Sequence, residues 1–183
     1  MASIIPLSAV DPAMIEQLLD RAFGEDRHAR TAYRIRAGVE WLDALSFAAL
    51  DDEDMLVGTI QVWPVALTDP DGHDYPLLMI GPVAVLPDHQ SEGYGKAMML
   101  AALEAVAETT KGTQIHPLPQ VMIGDPEYYE RFFGFSAAPT GEWRTPGPND
   151  PARLLVRCDN PSVLPKRGNL GPWGSRKAAD LAD

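Results

Sequence analysis

Hydrophobic positions along the 183-residue chain fall into two rhythms, and the places where the rhythm changes mark the elements. Met14, Ile15, Leu18, Leu19, Ala22 and Phe23 recur three and four residues apart, which puts them on one face of a helix. Asp11-Pro12 supplies an N-cap followed by proline at the first helical position, and Gly24 supplies the stop. Ile4 to Leu7 predicts a short strand before it, and His28 to Arg36 a second, mixed-charge helical stretch after it. Leu45 to Leu50 and Met55 to Val65 read as strands joined by Asp51-Asp52-Glu53-Asp54, a solvated hairpin turn. These four acids lack the glycine bend and distal glutamate of a calcium loop.

Thr68 to Asp74 is a second turn, centred on Asp71-Gly72, and it leads into Leu77 to Leu86. That run is almost wholly apolar and predicts a central strand buried on both faces, with a local break at Gly81-Pro82. Gly95 to Glu108, rich in Ala, Leu and Met, predicts a helix. Gln120 to Ile123 is a short strand, after which Asp125-Pro126 repeats the cap-then-proline signal ahead of a helix over Glu127 to Phe133. Phe135 to Ala137 and Leu154 to Arg157 are expected as closing strands. Asn160 to Asp183 is mostly polar and glycine-bearing, with Leu170 and Trp173 among its few large apolar residues. The expected organisation is therefore a single domain over 1–158 and an extended or partly disordered tail over 159–183.

Composition narrows the partners. Fifteen Lys and Arg stand against 26 Asp and Glu, a net charge of −11, which opposes nucleic acid and anionic membrane surfaces and favours a cationic partner such as an amine. Cys158 is the single cysteine, so no internal disulfide can form, in agreement with a reducing compartment; it reads as a buried filler. No basic-then-apolar leader opens the sequence, and no apolar run reaches the ~18 residues that cross a bilayer. A cytoplasmic protein is expected.

The chemistry concentrates where the apolar strand passes through a short loop into the alanine-rich helix, Val83-Ala84-Val85-Leu86-Pro87-Asp88-His89-Gln90-Ser91-Glu92-Gly93-Tyr94-Gly95-Lys96-Ala97. At a helix start the first N–H groups lack intrahelical partners and the dipole is positive, so successive amides can wrap a phosphate. Gly93 and Gly95 can take positive φ and carry no Cβ to hold a pyrophosphate away. A Walker loop does not fit here, and Gly93-Tyr94-Gly95 fails the dinucleotide fingerprint, whose third small residue falls at Met98.

Gln90-Ser91-Glu92-Gly93-Tyr94-Gly95 resembles the [Gln or Arg]-x-x-Gly-x-[Gly or Ala] signature of the GNAT N-acetyltransferase superfamily. Val85-Leu86-Pro87 is similar to the Val-x-Pro step that precedes the signature. A second block, Val121-Met122-Ile123-Gly124-Asp125-Pro126-Glu127-Tyr128-Tyr129-Glu130-Arg131-Phe132-Phe133-Gly134-Phe135, is similar to that family's later strand, helix and Gly-Phe. Its Gly-Asp-x-x-Tyr-Tyr pattern more closely resembles a bacterial branch of predicted, mostly uncharacterised members.

The resemblance implies an α/β (α+β) fold: a central mixed, mostly antiparallel twisted sheet flanked by helices, with a splay between two central strands. It implies acetyl-coenzyme A as co-substrate and direct transfer to a primary amine, with no metal. Val83, Ala84 and Val85 would pair with the pantetheine arm, and the Val83 N–H would polarise the thioester carbonyl and stabilise the oxyanion. Gln90, Ser91, Glu92, Gly93, Tyr94, Gly95, Lys96 and Ala97 would hold the pyrophosphate. Tyr129 takes the place of the acid that protonates the departing thiolate when counted from the helix start, whereas Glu130 takes it when counted back from Gly134-Phe135. An extra residue in Phe132-Phe133, put at the helix end, reconciles the two counts in favour of Tyr129. Tyr128 joins the coenzyme-binding set beside it; core or rim packing is the other reading of both tyrosines.

Two departures stand out. Ser91 replaces a frequent glycine and costs little if its φ is negative, while Glu92 would repel phosphates unless it points outward or pairs with a cation such as Lys96. No ionisable side chain lies between Leu77 and Leu86, so the base would be a water chain or one of Glu25, Asp26, His28 and Asp125, the last reading better as a helix cap. His73, His89 and His116 show no ligand spacing and read as surface residues. A non-catalytic acyl-coenzyme A sensor or interaction module is the alternative, and a domain with no ligand a third reading. The acceptor, a small-molecule or peptide amine, is not specified by the sequence, nor is the oligomeric state, so a homodimer stays open.

Overall fold

A computed structural model describes residues 2–174. Strand β1 (Ser3–Pro6) leads to α1 (Pro12–Phe23) and α2 (Thr31–Ile35). Strands β2 (Phe47–Leu50), β3 (Leu56–Thr68) and β4 (Asp74–Val85) follow, then α3 (Tyr94–Glu108), β5 (Gln120–Ile123) and α4 (Pro126–Phe133). The chain continues through β6 (Glu142–Arg144), β7 (Leu154–Arg157) and β8 (Arg167–Pro172). Asp11 caps α1 as its sequence predicts, its carboxylate accepting from the Ala13 N–H at 2.9 Å.

The strands form one eight-stranded sheet in the order β1-β2-β3-β4-β5-β7, with β8 pairing both β3 and β6. Pairing is antiparallel for β1 with β2, β2 with β3, β3 with β8 and β5 with β7. It is parallel for β4 with β5 and for β6 with β8. The fold class is the mixed, mostly antiparallel one expected. The β4–β5 ladder consists of Leu78↔Gln120 and Met79↔Val121, so β4 runs on past its parallel neighbour's last partner.

Two expectations change. Phe135 to Ala137 makes no strand, only an isolated bridge between Ser136 and Val156. The stretch from 159 onward is not a loose tail through residue 172: Asn160 caps a 3-10 turn over Pro161–Val163, and β8 joins the sheet with Leu170 buried. Arg-Gly-Asn-Leu-Gly-Pro has neither strand periodicity nor β-branched residues. Its order comes from backbone pairing with Val65–Thr68 of β3 and with β6, which composition does not reveal. The rest of the expected tail, 175–183, lies outside the described residues.

Contacts gather into two compact units, each discontinuous in sequence. Among the described residues, the first comprises 2–28, Trp41–Val62 and Ile80–Pro117; the second comprises Ala29–Glu40, Trp63–Met79 and 118–174. In the first, Leu7, Ile15, Leu18, Leu19, Ala48 and Ala84 make a buried cluster under α1. Arg27 is buried there too, and pairs with Glu16 and Asp20, which satisfies a charge that would otherwise be costly to bury. In the second, Val121 and Met122 pair with Val156 and Leu155, all four buried, and Arg36 is stacked 4.1 Å from the Tyr33 ring and 4.6 Å from that of Trp63.

Candidate active site

The junction from β4 to α3 lies wholly within the first unit. Leu86 N–H donates to the Val57 carbonyl at 2.9 Å, so the backbone of residue 86 faces β3. Strand alternation puts Ala84 on that same edge, and its carbonyl lies 3.0 Å from where a Cβ on Gly58 would stand. The backbone groups of Val83 and Val85 therefore point to the opposite edge, where the Val85 carbonyl meets Gln90 Nε2 at 3.5 Å. Their side chains flank α3: a Cβ on Gly95 would lie 3.9 Å from Val83 Cγ1 and Val85 Cγ2.

The turn itself is exposed from Gln90 to Gly93. Gly93 is the N-cap of α3, with φ 89° and ψ 3°, and no side chain caps the helix. A residue with a Cβ would be strained in this left-handed conformation. Among the described residues, the N–H groups of Ser91, Glu92, Gly93, Tyr94 and Gly95 meet no acceptor. Five successive donors at a positive helix end are thus open to an anion.

Several details differ from the sequence-based expectation. The Ala97 N–H donates to the Gly93 carbonyl at 3.0 Å, which removes it from the open donors, because the first intrahelical bond falls at that residue. Gly95 is helical and is not among the glycines of positive φ. Ser91, by contrast, takes φ 68°, so it stores strain of roughly 1–2 kcal/mol that a glycine would not. Glu92 is exposed and its Oε2 lies 3.2 Å from Nδ1 of His89. His89 is half-buried rather than a plain surface residue, and its ring stands edge-on to that of Tyr94 with centroids 6.1 Å apart. The Tyr94 phenol is raised above its ordinary value, first by desolvation and then by the charges of Glu92, Asp51 and Asp52. The acidic β2–β3 turn is therefore within electrostatic reach of the anion-binding turn.

The junction from β5 to α4 lies in the second unit and is closed. The Asp125 carboxylate accepts from the Glu127 N–H at 3.1 Å and Pro126 opens the helix, as expected of a cap. Tyr129 packs against Tyr128, Phe133 and Phe135, with ring centroids 5.0, 6.1 and 6.2 Å away. Tyr128 also meets Phe132 and Phe133 at 5.1 and 5.9 Å. Burial pushes the Tyr129 phenol up to about 12, with smaller contributions from Tyr128 and Asp125 and an opposing one from Arg153. It remains a proton-bearing phenol throughout the neutral range. The end of α4 is widened: Gly134 N–H reaches the carbonyls of Glu130 and Tyr129, and Phe135 N–H reaches that of Tyr129 at 3.2 Å. The irregularity is confined to the helix end.

A family model described as an acetyltransferase (GNAT) domain matches residues 4–137. The chain belongs to the GNAT acetyltransferase family. Among solved structures, the GNAT family N-acetyltransferase YhbS from Escherichia coli, in complex with CoA, is 25% identical, with a TM-score of 0.66 over 97% of this chain and 91% of that one. A GNAT family acetyltransferase from Brucella melitensis, in complex with acetyl-CoA, is 23% identical, with a TM-score of 0.61 over 96% and 98%. PH1933 from Pyrococcus horikoshii shares the fold at 14% identity, with a TM-score of 0.54 over 87% and 99%. No curated protein matches.

For this GNAT chain, sequence reasoning overlooked the part played by Gly124. A Cβ there would lie 2.7 and 2.8 Å from Cε2 and Cδ2 of Tyr129, so the absence of a side chain is what lets the ring lie against the strand end. Arg153 brackets the same residue, its carbonyl accepting from Gly124 N–H at 3.0 Å and its Nε donating to the Gly124 carbonyl at 3.4 Å. A glycine immediately before a cap and five residues before an aromatic was the available signal. Among the expected bases, Asp125 is committed to the helix start, while Glu25, Asp26 and His28 are exposed on a 3-10 turn. His73 does converge with Asp69 and Asp71, their ligand atoms lying within 4.8 Å of one another. Asp69 already accepts from the N–H groups of Asp71 and His73, which is how the turn is built. Among the described residues, no helix is long and apolar enough to cross a membrane.

Proposed function

We propose that this chain transfers an acetyl group from acetyl-CoA to a primary amine by direct attack. The observation that carries the reading is the row of open N–H donors from Ser91 to Gly95 at an exposed, uncapped helix start, following a strand edge on which Val83 and Val85 present their backbone groups. The CoA seen with the E. coli relative supports it, as does the family's own chemistry. The residues fit the coenzyme: amides of Ser91 to Gly95, assisted by Gln90 and Lys96, would bind the diphosphate and Val83 to Val85 the pantetheine arm, and Tyr128 belongs to the proposed coenzyme-binding set. Ala97 contributes helix packing rather than an amide.

In the reaction, the amine nitrogen bonds to the thioester carbonyl carbon and the carbon–sulfur bond breaks. Val83 N–H donates to the carbonyl oxygen while it carries negative charge, which lowers the barrier because the donor is already oriented. Tyr129 gives its hydroxyl proton to the departing sulfur and regains one from solvent; the phenol carries that proton throughout the neutral range. The attacking nitrogen releases its proton to water, since no carboxylate stands on β4 between Leu77 and Val85. A net charge of −11 favours a cationic acceptor, either a small amine or a lysine side chain of a peptide, over nucleic acid or a membrane surface. The working compartment in this reading is the cytoplasm.

Screening amines while free thiol is followed tests the proposal. Turnover that falls roughly 10²–10⁴-fold in Tyr129→Phe, with CoA binding retained, is the expected result. Tight CoA binding without turnover on any amine would replace the enzyme by a coenzyme sensor.

A further inference from the structure

The closed junction holds Tyr129 by its ring, and one residue just ahead of β7 holds the junction. Gly124 has both of its peptide groups taken by Arg153: its N–H donates to the Arg153 carbonyl at 3.0 Å, and its carbonyl accepts from Arg153 Nε at 3.4 Å. The Tyr129 ring lies against the bare Cα of that glycine, with Cε2 and Cδ2 2.7 and 2.8 Å from where a Cβ would stand. The same ring meets those of Tyr128, Phe133 and Phe135. A shift of the Gly124 peptide must therefore move the ring. Arg153 is itself anchored, because it ends a 3-10 turn over Pro151–Arg153 that Asp150 caps. The Asp150 carboxylate accepts from the Ala152 N–H at 3.0 Å, and its carbonyl from the Arg153 N–H at 2.9 Å. The guanidinium also brings charge to this corner, and among the described residues it pairs with no carboxylate. Three groups besides burial act on the Tyr129 phenol: Tyr128 and Asp125 favour the proton-bearing form, and Arg153 favours its loss.

We propose that the Arg153 side chain is a positioning residue for Tyr129, clamping the Gly124 peptide against the ring and offsetting the charge that the phenol oxygen acquires as it gives up its proton. The inference rests on the reading of Tyr129 as the acid. An acid serves the departing sulfur only from hydrogen-bond distance, and a displacement of about 1 Å is costly. The clamp guards against that displacement. A cation already fixed nearby stabilises negative charge as it develops, with no reorganisation at the moment of reaction. The proton moves from the Tyr129 oxygen to sulfur, while the guanidinium keeps all of its own because its pKa lies far above the working range. Backbone pairing between residue 153 and Gly124 survives substitution, so the part played by the side chain can be removed by itself.

A double-mutant cycle decides it, run on acetyl-CoA-dependent turnover of the amine found by screening. Arg153→Ala is expected to lower kcat about tenfold while KM for acetyl-CoA stays within about twofold. In the Tyr129→Phe background the same substitution should change kcat by less than about twofold, because the group it serves is gone. Arg153→Lys, which returns the charge without the planar fork, should lower kcat only about threefold. A second readout needs no turnover: in 13C NMR of tyrosine-labelled, ligand-free protein, the Tyr129 signal is identified by its absence in Tyr129→Phe. It should move in Arg153→Ala. A signal that stays in place, a kcat unchanged in Arg153→Ala, or an equal loss in both backgrounds would overturn the proposal. Turnover unaffected by Tyr129→Phe, or no turnover by the wild-type protein, would instead overturn the reading beneath it.

Discussion

Two strand-to-helix junctions of this molecule follow one plan and end oppositely. Where β5 enters α4, Asp125 places a carboxylate over the first turn, so the helix's open donors and positive end are answered from within the chain. Where β4 enters α3, Gly93 has no side chain to offer, and the donors from Ser91 to Gly95 face outward. A helix start normally gains about 1 kcal/mol from an Asp, Ser or Asn cap. A start that forgoes the cap, and that carries Ser91 in a strained conformation besides, is shaped for an external anion. The closed junction does the converse work of fixing a side chain: its glycine lets Tyr129 lie against the strand end, and its aromatic neighbours shield the phenol from water.

The largest effect should come from closing the open junction. Gly93→Glu with Gly95→Glu sets two carboxylates among the amides, and CoA binding by calorimetry should weaken about 100-fold or more while circular dichroism remains native. Undiminished binding would remove the coenzyme from this turn. At the closed junction, Tyr129 is raised from an unfolded value of about 10 to about 12 in the folded protein. The stability this represents is complete below pH 10 and is lost as pH rises through 12, on the order of 2–3 kcal/mol. Urea unfolding at pH 9 and pH 11 should show about half of the loss, and Tyr129→Phe should lack that component. Asp125→Ala should cost about 1 kcal/mol by the same assay and leave CoA affinity untouched, since the cap serves the chain alone. Smallest is Ser91→Gly, expected to gain about 1 kcal/mol in thermal unfolding by relieving the positive φ. A loss of stability there would mean that the serine side chain is itself needed.

Much of this contrast was legible in the sequence. Asp11-Pro12 and Asp125-Pro126 announce capped helices, because a short acidic side chain and a ring with fixed φ act on their immediate neighbours. The expected helix began at Gly95, one residue late, so the uncapped start at Gly93 emerged only from the structure. The sequence did not show that Ala97 would use its amide on Gly93, that Ser91 would adopt φ 68°, or that Glu92 would turn to His89. Each depends on where the helix begins, to within one residue, and on which groups the turn brings together.

Periodicity and turn chemistry by themselves determined the order from β1 to α4 and the strand–turn–helix that carries the family signature, because these arise from interactions over a few residues; the α/β class came from the resemblance that this signature carries. Tertiary structure alone decided that a polar segment near residue 170 becomes strand β8, since its stability lies in backbone pairing with β3 and β6. It also decided that Asp51 and Asp52 lie within electrostatic reach of Tyr94, some forty positions along the chain. Electrostatic forces act through space, and only folding sets that distance.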